Sequence, residues 1–548
     1  MKKKHFLFLI PGLIMLGSCK LQTLEADFIV FNANIYTLDE NFTLASVMAV
    51  KDGKVLAVGD DGLMKKYKAE ELIDAQGAYL YPGFYDAHCH FLSYGVGKLK
   101  RADLSGTNSF AEVLERVSAH AERNPSEWIY GRGWDQNDWE VKEFPGRDEL
   151  DELFPDRPVF LTRIDGHAAL VNGEALRRAG ITAETKVIGG EVILSDGSPT
   201  GVLIDNAMEL VADLGPENDD NITRAGLLAG QEDCFAVGLT SVMDAGLEVK
   251  DIRLIDSIQQ AGELKMKINA MLSSSDSNYV EFMKQGTYKT DLLHVNSIKL
   301  YADGALGSRG ACMIHEYSDD PGNHGLVMHS DDFYHEVMGN AFKYNFQVNT
   351  HAIGDSGNRY TLDLYAEFLK GPNDRRWRIE HAQIVHEDDF QKFADYNIIP
   401  SVQATHATSD MYWAGDRVGA ERMKGAYAYN KLLALNGWLP NGTDFPIENI
   451  SPLYTFYAAV ARKDLEGFPE GGFQMQDALS REDALRSITI WAAKGAFEEG
   501  EKGSLEAGKA ADFVMLEKDL MKVDEPEIPH IQVLSTYVNG EAVYKSEK

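Results

Sequence analysis

Cysteine is scarce: four residues in 548, at positions 19, 89, 234 and 312. Cys19 has a separate reading, given below. The other three are odd in number and widely spaced, which excludes a disulfide framework. Cys89 and Cys234 lie in apolar, strand-like settings and read as buried, inert thiols. Basic residues are also short. Against 85 Asp and Glu there are 53 Lys and Arg, a net charge of −32. Nucleic-acid binding needs basic patches that displace counterions, so nucleic acid is excluded as a partner. The acidity by itself does not call for a cationic substrate, because scattered surface acids serve solubility. Internal repeats, heptads and low-complexity tracts are missing, which excludes solenoids and coiled coils. What remains is ordinary for a globular protein: 44% hydrophobic and 25% charged residues, with enough chain for more than one domain.

The chain opens on Lys2, Lys3 and Lys4, then an apolar run, Phe6 to Leu16, too short to span a bilayer. It closes on Leu16-Gly17-Ser18-Cys19, which resembles the lipobox of bacterial lipoproteins. The resemblance implies cleavage before Cys19, a lipidated mature N-terminus and an exported protein anchored in the cell envelope. An ordinary signal peptide or an uncleaved anchor is the alternative.

After a polar connector, strand signals follow at 28–31, 35–38, 46–50 and 55–58, the last two flanking a turn at Asp52-Gly53. A lone hairpin is not stable. Matching strands stand at the far end, 511–516, 533–538 and 542–544, with Asn539-Gly540 as a turn. One small β-sandwich built from both termini is expected. Between them, short apolar strands alternate with helical patterns: the strand before His88, then 238–243, 266–271, 297–301, 346–350, 377–380, 398–402 and 433–435. That is the pattern of an α/β protein with a (β/α)8 TIM-like barrel. A stretch of about 98–230 breaks the alternation and is expected to form an inserted subdomain over the barrel mouth. Ser480 and Asp483 predict a capped helix running to about Phe497. The expected segments are 1–19 (signal), 20–80 (first part of the sandwich), 81–500 (barrel with its insertion) and 501–548 (second part of the sandwich).

The chemistry centres on Tyr81-Pro-Gly-Phe-Tyr-Asp-Ala-His-Cys-His-Phe91. In an extended chain His88 and His90 share one side and can grip one ion, with Cys89 turned away. Other polar residues fall at strand ends, where barrel active sites lie: Lys299, His351, His381 and Asp444. Four imidazoles and a carboxylate suit a borderline ion such as Zn²⁺. Lys299 is the odd member, since an ammonium only donates. It reads either as a lysine carboxylated by CO₂, whose carbamate could bridge two ions, or as a lysine paired with Asp303.

The order His-x-His, Lys, His, His, Asp on successive strands resembles the amidohydrolase superfamily. Lys299 to Arg309, His351-Ala-Ile-Gly-Asp355, Arg378-Ile-Glu-His-Ala-Gln383 and Gly131-Arg-Gly-Trp-Asp135 are similar to its N-substituted formamide deformylase-like branch, from about residue 26 onward. The resemblance implies one divalent ion, or two, Zn being the expected metal. His88 and His90 would hold one with Asp444, His351 and His381 the other, and carboxylated Lys299 would bridge. It also implies cleavage of the C–N bond of a linear amide of the N-formyl or N-acyl amine type by a metal-activated hydroxide, with Asp444 carrying the proton. The candidate substrate contacts are Trp134, Asp135, His167, Arg309 and His406. Trp134 reads first as packing and Asp135 as loop-capping. Arg309 could hold a carboxylate or pair with an acid such as Asp303. A small-molecule amide is the expected partner, with a homodimer left open. The rival readings are cyclic-amide opening or deamination at the same site, and a non-enzymatic exported binding or regulatory protein. Unused buried imidazoles and a buried lysine argue against the last.

If the opening segment is a lipoprotein signal, a radiolabelled fatty acid marks the wild-type protein and not Cys19→Ser. Equal labelling of the two removes the anchor.

Overall fold

The computed structural model describes residues 23–215 and 219–547, so the signal-like segment and Cys19 lie outside the described residues. No helix among the described residues is long and apolar enough to cross a membrane.

Seven parallel strands make the barrel: β1 (Phe84–Cys89), β2 (Leu239–Leu247), β3 (Lys267–Leu272), β4 (Leu293–Tyr301), β5 (Gln347–Ala352), β6 (Arg378–His381) and β7 (Ile399–Ser401), neighbours in that order. β1, β3 and β5 are buried along their whole length, as strands covered on both faces must be. The eighth position is held by an irregular segment, not a strand. Val402 bridges Asn441 in parallel, Asp444 N–H donates to His88 O (2.7 Å), and His90 N–H donates to Phe445 O (2.8 Å). The expected eighth strand at 433–435 is therefore corrected: those residues lie inside the helix Tyr429–Asn436. Three apolar residues are too few to reveal a period, so the sequence could not separate strand from helix there.

Helix boundaries follow local chemistry. The helix Asp331–Tyr344 opens on the Ser330 side chain, which accepts from Phe333 N–H, and closes on Asn345 in the left-handed region. Ser480 caps as expected, accepting from Asp483 N–H at 3.1 Å. The run behind it breaks, however, into Arg481–Ser487 and Ile490–Gly495, because Thr489 between them is not helical.

The sandwich joins the two ends of the chain. One sheet orders Lys54–Gly59, Val47–Lys51, Phe28–Phe31 and Glu71–Asp74. In the other, Phe513–Leu516 lies between Tyr79–Pro82 and Val533–Val538. Val30, Ile35, Val50, Leu80, Phe513 and Tyr537 share the core between them.

Between β1 and β2 a second sheet forms in the order Arg101–Asp103, Ile129–Trp134, Val159–Arg163, Ala168–Val171, Ser198–Asp205, Gly190–Ser195. It has its own apolar packing on both faces, around Leu161 and Leu170 on one and Phe160 and Val171 on the other. The alternation of side chains along those strands produces the two layers. The helix Asp220–Ala236 does not belong to this sheet. It packs on the helix Phe91–Lys100 and on β2, which makes it a barrel element.

Candidate metal centre

The C-terminal ends of the barrel strands place His88, His90 and Asp444 together, with one ligand atom of each within 4.8 Å of the others. His88 is the penultimate residue of β1 with its side chain fully buried, and His90 precedes the next helix at its cap position. His90 Nε2 lies 3.2 Å from Asp444 Oδ1, and His88 Nε2 lies 3.5 Å from the same oxygen. Donors about 2.0–2.1 Å from one tetrahedral ion stand roughly 3.3–3.4 Å from each other, so this spacing fits a shared ion. Asp444 Oδ1 is buried with no hydrogen-bond partner among the described residues. Burial alone would raise its pKa, but the neighbouring imidazoles of His88, His90 and His381 outweigh that and hold the carboxyl well below the ordinary range. A bare, ionised oxygen facing two imidazoles is what a cation requires.

Local backbone explains how Asp444 reaches this point. Gly442 passes so close to β1 that a Cβ there would sit 2.4 Å from His88 N. Thr443 Oγ1–H donates to Asp86 Oδ2 (2.6 Å), and His88 N–H donates to Asp86 Oδ1 (3.0 Å). Buried Asp86 thus ties the irregular eighth segment to β1. Asp444 itself adopts φ +61°, and His381 φ +74°. Such left-handed backbone at non-glycine residues is costly and persists where surrounding bonds overdetermine it.

His351 is the penultimate residue of β5 and His381 closes β6. Their rings are 4.5 Å apart, and His381 is 5.1 Å from His88. Burial keeps both well below the ordinary imidazole range, so both are neutral with a lone pair to offer. Among the described residues His381 Nδ1 is buried without a hydrogen-bond partner, which leaves it available to a ligand. These two rings border the three candidate ligands and do not form a single tight cluster with them. Lys299 Nζ is 3.0 Å from His88 Nε2 and lies over the Tyr301 ring at 4.9 Å. Burial lowers its pKa to about 8. The alternative pairing with Asp303 is not what the chain does. Asp303 instead accepts the N–H groups of Cys312, Ile353 and Gly354.

Two residues given no role from sequence hold the centre in place. Glu380 Oε2 is 2.5 Å from His88 Nδ1, and Glu380 Oε1 accepts from Arg378 Nε at 2.6 Å. Burial opposes the Glu380 charge, yet Arg378 and His88 hold its pKa at about 2. Arg378 also donates to Ala87 O and Ser401 Oγ. A carboxylate on the far nitrogen fixes the imidazole's tautomer and leaves Nε2 free for an ion. The signal was present in the sequence: two charged residues at i and i+2 of one apolar strand point to the same side.

A cavity of about 750 Å³ opens beside these residues. Its wall includes Asp444, His351 and His381, and from the inserted sheet Arg132, Asp135 and His167. The fold and the donor set match a known design. The family model described as the amidohydrolase family matches residues 71–544. The chain belongs to the amidohydrolase family. "Protein LONG AFTER FAR-RED 3" of Arabidopsis thaliana is 33% identical, covering 95% of this chain and 92% of its own. The N-substituted formamide deformylase of Arthrobacter pascens is 29% identical, covering 95% and 98%. Among solved structures, an uncharacterized metal-dependent hydrolase from Pyrococcus horikoshii is 28% identical, with a TM-score of 0.74, covering 91% of this chain and 99% of that one.

The candidate substrate contacts of this amidohydrolase fall into two groups. His167, His406 and Asp135 line the cavity. His167 Nδ1 is 2.6 Å from Asp205 Oδ1, and its ring is 5.0 Å from His351. Burial opposes its charge, but the Asp205 bond and carboxylate prevail and raise its pKa. His406 is stacked on His381 at 5.7 Å, with Nε2 3.9 Å from Asp444 Oδ2. Asp135 caps the following turn by accepting Asn137 N–H and is ion-paired to Arg163. Trp134 and Arg309 are elsewhere. Trp134 is buried in the inserted sheet's core, its Nε1–H donating to Leu161 O. Arg309 is paired with Asp319 at 2.9 Å and is off the cavity wall. Neither is placed to touch a substrate, because each spends its polar group on a neighbour.

Glu380→Gln is expected to cut metal affinity about 10–100-fold, as loss of a ligand's orienting partner does. Competitive chelation followed by elemental analysis checks it. Wild-type retention of metal would show that His88 needs no orienting carboxylate.

Proposed function

We propose that this amidohydrolase cleaves the C–N bond of a linear amide of the N-formyl or N-acyl amine type. The observation that carries the reading is the convergence of His88, His90 and Asp444 beside a cavity whose wall Asp444 helps to form. Support for the linear amide comes from the 29% identity with the N-substituted formamide deformylase. His88, His90 and Asp444 would hold a divalent ion, with His351 and His381 beside them for a second. An ion bound there supplies Lewis acidity and an activated water at neutral pH, and the nitrogen-rich donor set favours zinc.

The remaining steps belong to side chains. Asp444, ionised and facing the cavity, takes the proton of the attacking water through a carboxylate oxygen. It then delivers that proton to the departing nitrogen, without which an amine leaves poorly. His167, anchored by Asp205, and His406 stand next to carry that proton. Glu380 and Arg378 keep His88 aligned throughout. Lys299 is proposed to add CO₂ at Nζ: the ammonium first gives up one proton to become the attacking amine, and the nitrogen loses a second as the N–C bond forms. The resulting carbamate replaces the ammonium that now faces His88 Nε2. Export and a lipid anchor at Cys19 belong to the same proposal, resting on the Leu16–Cys19 motif alone.

Asp444→Asn is expected to lower turnover of N-acyl alkylamines roughly 10²–10⁴-fold. The loss should be smaller for anilides, whose nitrogen departs more readily. Near-normal turnover of an alkylamide by a metal-loaded mutant would assign the proton to another group.

Carboxylation of Lys299 predicts that Lys299→Ala loses metal and activity and regains part of both in short carboxylic acids. An active, metal-loaded enzyme whose Lys299 is unmodified by crystallography or intact mass would overturn that role.

A further inference from the structure

Four cationic side chains border the cavity: Lys98, Arg101, Arg132 and Arg163. Two are neutralised. Lys98 is paired with Asp233, and Arg163 with Asp135 and Asp165. Among the described residues Arg101 and Arg132 have no carboxylate within ion-pair distance. Arg101 donates only to Ser93 Oγ, at 3.4 Å. Arg132 donates only to Ile164 O, at 3.1 Å, and its Nε is buried without a partner.

The inserted sheet brings the two together. Arg101–Asp103 pairs in parallel with Ile129–Trp134, Arg101 opposite Tyr130 and Asp103 opposite Arg132. Arg101 and Asp103, two residues apart, therefore share one face of the strand, and Arg132 stands beside them. Asp103 is the obvious counter-ion, yet its carboxylate accepts Ser105 N–H at 3.0 Å. Burial and the Arg101 charge push the Arg132 pKa down to about 10, outweighing the opposing charges of Asp444 and Asp165, neither of which is within ion-pair distance. The Arg132 guanidinium lies over Gly166, where a Cβ would come within 3.3 Å of Nη2. Gly166 immediately precedes His167, so the guanidinium is held next to the cavity's catalytic side. In a chain of net charge −32, two neighbouring uncompensated guanidiniums on a cavity wall are costly unless an anion arrives.

We propose that Arg132, assisted by Arg101, binds a carboxylate of the substrate, so that the favoured substrates are linear N-acyl amines carrying a carboxylate away from the scissile bond. The planar fork of a guanidinium matches a carboxylate with two parallel hydrogen bonds. Bound there, the anion fixes the distance between the charged end and the carbonyl presented to Asp444. This substrate class rests on the linear-amide reading of the site.

The test uses ω-(formylamino)carboxylates of increasing chain length, each matched to its neutral primary-carboxamide counterpart, with the full-length, metal-loaded enzyme. Wild type is expected to favour the carboxylate of the best-fitting length by about 10–100-fold in kcat/KM, chiefly through KM. Arg132→Gln should bring that ratio to near one, Arg132→Lys should keep part of it, and Arg101→Gln should lower it. A wild-type ratio near one, or a full ratio in Arg132→Gln, overturns the proposal. If Arg132→Gln does not fold, Arg101→Gln and Arg132→Lys carry the comparison. If no linear amide is hydrolysed, charged or neutral, the reaction reading fails by itself. Calorimetric binding of the same compounds then judges the anchor: carboxylate-selective binding weakened by these substitutions upholds it, and absent or unselective binding overturns it.

Discussion

The ion pair between Arg378 and Glu380, sealed inside the barrel, is the constraint on which the centre depends. Both side chains come from β6 and are fully buried. Such a pair pays a large desolvation cost and is kept only where both partners are fully hydrogen-bonded. Here the requirement is met: Arg378 also reaches Ala87 O on β1 and Ser401 on β7, and the second oxygen of Glu380 goes to His88. One buried charge pair thereby spans three strands and sets the orientation of the imidazole that offers its other nitrogen to an ion. Asp86 does the complementary work, fastening the irregular eighth segment to β1 and bringing Asp444 opposite His88 and His90.

The absence of a regular eighth strand has a functional consequence. A full strand would alternate its side chains between the barrel interior and the helices. The segment closing the barrel instead turns sharply, with Gly442 against β1 and Asp444 in the left-handed region. That turn aims the carboxylate at the two imidazoles. The strain sits at the residue proposed as both ligand and proton carrier, in keeping with strained backbone collecting at functional positions.

Electrostatics divide the cavity by origin. The barrel contributes neutral imidazoles, made so by burial, and one ionised carboxylate. The inserted sheet contributes cations, two of them uncompensated, and His167 held up by Asp205. On the proposed reading the candidate metal ligands belong to the barrel and the substrate anchor to the insertion, the kind of segment that varies most readily.

The residue order alone determined much of this. Strand–helix alternation and the polar residues ending the strands located His88, His90, Lys299, His351 and His381 at one barrel face, because periodicity and strand polarity are local properties; Asp444 was located there behind an expected strand that is helix in the structure. The matching strands at both ends anticipated the shared sandwich. Only the tertiary structure decided the rest. It turned residues 433–435 into helix, gave Asp303 to three backbone amides, sent Trp134 into a core and Arg309 to Asp319. It also made Glu380 the partner of His88, 292 positions away, and left Arg101 and Arg132 without a carboxylate in ion-pair distance among the described residues. Which partner neutralises a charge depends on distances between segments remote in the chain, and a linear pattern carries no record of those distances.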